Sequence, residues 1–158
     1  MAASTGTGDA GALALRAERL SVRDGATVTV SSEIAGEAGD LTISAPEVRL
    51  DRGTLSAETV EGKQANINLT ARDLQLRRGT IISTNATGEA TGGNITLSAE
   101  TLVALEDSDI SANAEQSFGG QVRITAEGIF GTEFREENTS ESDITATSDL
   151  GAEFSGTV

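Results

Sequence analysis

The stretch from Gly93 to Asn113, GNITLSAETLVALEDSDISAN, decides the fold. Within it Ile95, Leu97 and Ala99 alternate with Asn94, Thr96 and Ser98, the period-two pattern of a strand with one buried face. Leu102 and Ala104 resume the alternation after a one-residue slip, and Ile110 opens a third short run in SDIS. The stretch reads as three short strands joined by corners.

The same unit lies over the whole chain when each copy is anchored on the residue before its first strand: Gly11, Gly39, Ala65, Gly93 and Gly120, with steps of 28, 26, 28 and 27 residues. Two positions on stand Leu13, Leu41, Ile67, Ile95 and Val122; four on, Leu15, Ile43, Leu69, Leu97 and Ile124. Alanine recurs six after every anchor, and Leu20, Val48, Leu74, Leu102 and Ile129 stand nine after. A fixed period of this size marks a solenoid, whose units bury their apolar faces only by stacking on one another. No helical periodicity accompanies the repeat, which sets it apart from a leucine-rich repeat. The expected fold is all-β: a single three-faced parallel β-helix over residues 1–158, with about five rungs of 26–28 residues. At a strand spacing of roughly 4.8 Å, five rungs make a column on the order of 24 Å tall.

Composition fits narrow rungs filled by Ile, Leu, Val and Ala, since aromatic residues are 3% of the chain and proline occurs once, at Pro46. Neither cysteine nor histidine is present, which removes disulfides, thiolate metal sites and His-based catalysis. The formal charge of -14 argues against nucleic acid and anionic lipid as partners. That charge is uneven: residues 1–78 hold nine Arg and Lys against eleven acids (net -2), and residues 79–158 hold two against fourteen (net -12). No apolar run is long enough to span a membrane as a helix. The opening MAASTGTGDAGALAL lacks the basic and apolar regions of a signal peptide, so any export signal is expected outside the chain.

Residues 1–8 read as a frayed lead-in. Strands are expected near 12–17, 19–23 and 26–31 in rung one, and Pro46 marks a corner in rung two, where a missing N–H does least harm. Gly25, Gly53 and Gly79 stand fourteen after their anchors, at a corner expected to need positive φ, with Asp107 in that place in rung four. Asp40, Asn66, Asn94 and Gln121 follow their anchors directly and read either as a ladder of side chains or as plain turn formers. In rung five the third strand, SDITAT, begins at Ser142, about seven residues late, so residues 131–141 are expected to loop out of the column. Phe130, Phe134 and Phe154 fall in or near that insertion and are expected to pack over the last rung or its flank. Val103 and Leu105 take outward slots that are polar in earlier rungs; cover by the Phe134 loop is the expectation, and an exposed contact strip the alternative.

The last thirty residues carry a resemblance. GIFG at 128–131, Glu133-Phe134-Arg135, SDITA at 142–146 and the closing SGTV, behind rungs of GG-x-hydrophobic-x-hydrophobic type, resemble the C-terminal repeats of filamentous-haemagglutinin-like exoproteins of two-partner secretion, in the form common in cyanobacteria. The resemblance covers residues 39–158 in style and is specific in the last thirty. It implies a right-handed β-helix, export through an outer-membrane secretion partner, and a secreted or cell-surface adhesin that meets a surface glycan or protein receptor. Such proteins begin with a signal peptide and a secretion domain, so the chain is expected to be a piece of a longer solenoid.

Parallel β-helices also carry polysaccharide lyases and hydrolases, whose sites gather carboxylates on one face of successive rungs. The candidates here are Glu106, Asp107, Asp109 and Asp143, with Arg135 in the loop. Asp109 and Asp143 take equivalent places in their SDI motifs, about 5 Å apart if stacked, a spacing suited to a calcium ion or an acid pair. Because SDI recurs as a turn element, two solvated carboxylates are the plainer reading. No catalytic, cofactor-binding or metal residue is therefore assigned and no cofactor is expected. The chain reads as a non-enzymatic adhesin segment, a rigid spacer or contact face, with a polysaccharide-active enzyme or a calcium-dependent binding module as the alternatives. Residues 1–8 offer little to cover rung one, so end-to-end self-association is expected through the N-terminal end.

Overall fold

The computed structural model describes residues 2–4, 9–32, 38–60 and 64–158. After β1 (Ala2–Ser4), the first turn lays down β2 (Leu13–Arg16), β3 (Arg19–Arg23) and β4 (Thr27–Ser32). The second repeats it as β5 (Leu41–Ser44), β6 (Glu47–Asp51) and β7 (Thr54–Thr59), and the third as β8 (Ile67–Thr70), β9 (Asp73–Arg77) and β10 (Ile81–Ser83). In the fourth turn the first two strands merge into β11 (Ile95–Leu105), followed by β12 (Asp109–Ser111). The fifth contains β13 (Val122–Phe130), β14 (Glu133–Phe134) and β15 (Asp143–Thr145), and a 3-10 turn at Ala152–Phe154 lies in the tail.

Every pairing between these strands is parallel, and all but that of β14 with β15, which lie in one turn, join equivalent residues of successive turns. Leu41 stands over Leu13, Ile67 over Leu41, Ile95 over Ile67 and Val122 over Ile95. The chain is thus a parallel β-helix with a sheet of seven strands, β1-β4-β7-β10-β12-β15-β14, as one face. The other two faces form a second sheet, bent where β11 and β13 run through the corner. The five levels of the first strand are separated by four turns, so the column rises about 19 Å between them, shorter than the five full rungs expected.

The alternation read from the sequence sets the core. Leu41, Ile43, Val48, Leu50, Leu55, Ile67, Leu69, Leu74, Leu76, Ile82, Ile95, Leu97 and Leu102 are buried, while Thr42, Thr70, Thr96 and Ser98 between them are exposed. Anchor glycines recur because successive turns enter the first strand in near contact. A Cβ on Gly93 would lie 1.8 Å from the Ala65 carbonyl oxygen, and one on Gly120 would lie 1.9 Å from that of Gly93.

Two ladders fix the register at the corners. The Asn66 N–H donates to Asp40 Oδ1 (3.2 Å), the Asn94 N–H to Asn66 Oδ1 (3.0 Å) and the Gln121 N–H to Asn94 Oδ1 (3.2 Å), so the ladder reading of these positions holds. Each side-chain oxygen satisfies a backbone donor one turn on, which strand pairing leaves free at a corner. A second ladder escaped the sequence reading: the Asn113 N–H donates to Asn85 Oδ1 (3.2 Å) and the Thr147 N–H to Asn113 Oδ1 (2.9 Å).

Three expectations are corrected. Residues 2–4 of the expected lead-in form β1, which pairs Ala2 to Val30 and Ser4 to Ser32; the rest of residues 1–8 lie outside the described residues. Positive φ occurs at Gly25, Gly79 and Asp107 but not at Gly53, where Arg52 takes it (φ 55°). Left-handed backbone in fact begins one residue earlier than expected in all four turns, at Asp24, Arg52, Arg78 and Glu106, and Gly53 is needed for space, since a Cβ there would lie 2.6 Å from the Val22 carbonyl oxygen. Finally, the insertion does not wholly leave the column, because β14 returns to pair beyond β15.

Leu97 and Thr96 test this register. Leu97→Asp places a charge in the packed stripe and is expected to abolish the folded state, whereas Thr96→Asp faces solvent and is expected to change stability by less than about 0.5 kcal/mol. Thermal denaturation followed by circular dichroism checks both; equal loss in the two variants contradicts the assignment.

Candidate contact surface

The acidic residues singled out by sequence do not converge. Ile110 pairs with Ile144, so Asp109 and Asp143 are stacked one turn apart as expected. Their carboxylates nevertheless point to different partners. Asp109 Oδ1 accepts the backbone N–H of Asp143 (3.0 Å). The Asp143 carboxylate is fully buried and turns to the insertion, accepting from the Arg135 guanidinium and from the Thr139 N–H and hydroxyl (the last at 3.3 Å). Arg135 also bonds Glu133 Oε1 (2.7 Å). Glu106 is drawn toward rung three by Arg77 (2.8 and 3.1 Å), and Asp107 is exposed beside it. The structure therefore joins Asp109, Asp143 and Arg135, leaves Glu106 and Asp107 apart, and makes Asp143 the pin that holds a loop. Among the described residues no three His, Cys, Asp or Glu side chains gather as metal ligands.

Environment separates the two aspartates. Burial raises the Asp109 carboxyl above its ordinary range, helped by the charges of Asp107 and Asp143, although the Asp143 N–H opposes it. Burial acts in the same sense on Asp143, but the Thr139 N–H, the Arg135 guanidinium and the Thr139 hydroxyl outweigh it and hold that carboxyl low.

The exposed apolar surface lies elsewhere. Val103 pairs with Phe130, and Val103, Leu105 and Phe130 occupy outward slots of β11 and β13. A Cβ on Gly128 would lie 2.8 Å from Phe130 Cε2, so the ring covers Gly128. Leu105 packs on the backbone at Gly131. The expected cover by Phe134 is not found, because pairing with Ile144 places Phe134 in the inward column of Leu55, Ile82 and Ile110, over the end of the core. On another corner Phe118 and Phe154 meet with ring centroids 5.3 Å apart, tilted by 50°. Phe134 thus lies over the last rung, as expected of it, while Phe130 stands on the flank and Phe154 pairs with Phe118. All four lie between residues 118 and 154, and Phe118, Phe130 and Phe134 are 53%, 58% and 56% exposed.

The first turns present a different surface. Arg19 and Arg49 both pair with Glu47 (2.6 and 2.7 Å), Arg52 with Asp24 (2.6 Å), and Arg78 with Asp51. Such exposed pairs contribute little stability, but they leave a face whose charges are locally matched.

The two ends differ among the described residues. Leu13, Leu15, Leu20 and Val28 are half-buried and Val22 and Val30 buried, whereas Ile129, Phe134 and Val158 are exposed at the opposite end. The first sheet overhangs the second at both ends, through β1 and β14. A second copy stacked with its rung one on β13 would have to place its β4 where β14 already lies. No protein-family model, curated protein or solved structure matches the chain.

The two aspartates give substitutions of opposite sign. Asp143 is held low, so its contribution is present above the unfolded-state pKa and is lost as pH falls through the lower, folded value. Asp143→Asn is expected to cost about 1–3 kcal/mol at neutral pH and to speed tryptic cleavage after Arg135. Asp109 is held high, so its ionised form costs stability at neutral pH, and that cost is relieved as pH falls through its folded value. Asp109→Asn keeps an acceptor for the Asp143 N–H and is expected to raise the melting temperature at pH 7 but not near pH 3. Destabilisation by both at pH 7 contradicts the assignment.

Proposed function

We propose that the chain is a non-enzymatic segment of a secreted or cell-surface adhesin of the filamentous-haemagglutinin-like kind, exported in its parent protein through an outer-membrane secretion partner. In this reading the first three turns are a rigid spacer and the last two carry the contact face for a surface glycan or protein receptor. One observation carries the division: the four aromatic side chains all lie between residues 118 and 154, and three of them are more than half exposed. Exposed apolar side chains mark a contact surface when they gather on one face, as Phe130 does with Val103 and Leu105. The ion-paired surface of the earlier turns supports the spacer part, because matched charges leave little net field to attract a partner. End-to-end self-association in this reading uses the free edges of the second sheet, beyond which β1 and β14 of the first sheet project.

The test is to couple the chain to beads and pass them over panels of surface glycans and cell-surface proteins. A Phe118→Ser/Phe130→Ser variant is run beside it. The expected outcome is a ligand retained by the original chain and lost by the variant, with circular dichroism unchanged. Retention indifferent to both substitutions removes the contact face from these turns. New reducing or unsaturated sugar ends in the glycan arm would make the chain a polysaccharide-active enzyme instead.

A further inference from the structure

The end of the first sheet is closed by two segments that leave a cavity between them. On one side β14 and the insertion place Phe134, Glu136, Glu137 and Asn138; on the other lies the tail through Asp149 and Ala152. The cavity measures about 460 Å³, inside the range of roughly 300–1,000 Å³ typical of small-molecule sites. Its floor is not an open strand edge. The Gly156 N–H donates to the Ala146 carbonyl (2.7 Å) and the Gly151 N–H to that of Ser148 (3.1 Å), so the tail already satisfies backbone there. What the cavity offers a ligand is its side chains.

Those side chains share one electrostatic character. Phe134 supplies an exposed ring, whose face attracts cations. Glu136, Glu137 and Asp149 line the same cavity, and no Lys or Arg does. Arg135, the one basic residue in the insertion, is turned away into Asp143 and Glu133. None of the described ion pairs involves Glu136, Glu137 or Asp149. The surrounding half of the chain has a net charge of -12, from two basic residues against fourteen acids.

We propose that this cavity is a docking site for an arginine side chain presented by a partner polypeptide. A planar guanidinium lies on an aromatic face and donates in fixed directions to carboxylates, and its three-carbon stem packs on the apolar floor at Ala146 and Ala152. The proposal deepens the contact-surface reading by naming the chemistry of one part of it, and it rests on that reading.

Titration calorimetry with acetyl-Ala-Arg-Ala-amide tests it, beside the same peptide carrying citrulline, the neutral isostere of arginine. The expected result is saturable one-to-one binding of the arginine peptide and none of the citrulline peptide. Phe134→Leu, which keeps β14 apolar, is expected to weaken binding about fivefold, the equivalent of one cation–π contact. Glu136→Gln/Glu137→Gln, at exposed loop positions, is expected to weaken it further, and Phe118→Ser is expected to leave it unchanged. Equal binding of the citrulline peptide overturns the proposal, as does the absence of saturable heat. So does loss in the glutamate variant with Phe134→Leu inert, which would mean diffuse attraction to an acidic surface. The titration makes no use of Phe118 or Phe130 as contacts, so its failure leaves the bead experiment and the contact-face reading standing.

Discussion

The interaction on which this column rests is the pairing of equivalent residues in successive turns, Leu41 on Ile67 on Ile95 on Val122. No turn has a core of its own. Each presents a ring of inward aliphatic side chains that is dry only when another ring lies above and below it, so stability is a sum over neighbours. A slip of one residue would turn every Leu and Ile outward and every Thr and Ser inward. The side-chain ladders at the corners guard against that slip at the places where strand pairing lapses. Asn66 and Asn94 bond a backbone N–H one turn on, and Asn85 and Asn113 do so at another corner.

Function in such a column has to be built on its outside or its ends, because the interior is full. The fifth turn shows both uses. Its insertion adds β14 beyond the last regular strand, and the fully buried Asp143 holds the rest of the loop against the column through Arg135 and Thr139. Of the two carboxylates that offered a calcium site as one reading of the sequence, Asp143 thus holds the loop and Asp109 accepts the Asp143 backbone N–H. The carboxylate of Asp143 has three donors and that of Asp109 a backbone one. The aromatic side chains, with no room inside narrow rungs, stand on the surface of the last two turns.

The repeat, its three faces and the inward and outward residues were legible in the sequence because each is a local rule repeated five times, and the Asp40-to-Gln121 ladder, with four members, was legible as one of two readings. What was not legible depends on contacts with no repeat behind them. Ala2–Ser4 has no alternation to announce β1; only the free edge of β4 makes it a strand. The return of Glu133-Phe134 to the sheet is decided by Asp143 and Ile144, ten residues on. Its consequence is that Phe134 points inward and leaves Val103 and Leu105 uncovered. The second ladder did leave a signal, since Ile110-Ser111-Ala112-Asn113-Ala114 repeats Ile82-Ser83-Thr84-Asn85-Ala86, but the anchor chosen at the first strand drew attention from the third. Gly53 was assigned a φ it does not have because space and backbone handedness select the same residue, and a sequence cannot tell the two demands apart.

The central claim, parallel stacking in one register, is open to a direct chemical measurement because the chain has no cysteine of its own. Thr42 and Asn68 are paired across adjacent turns and both face outward. The Thr42→Cys/Asn68→Cys variant should close a disulfide on mild oxidation, since adjacent parallel strands hold paired Cα atoms at roughly 4.8 Å, within the range a disulfide spans. Thr42→Cys/Thr70→Cys, two residues out of register on the same face, separates the pair by about 8 Å and should remain reduced. Intact-mass analysis after oxidation reads both. Closure of the first alone, with circular dichroism unchanged, is the result this account requires; failure of the first, or equal closure of the two, contradicts it.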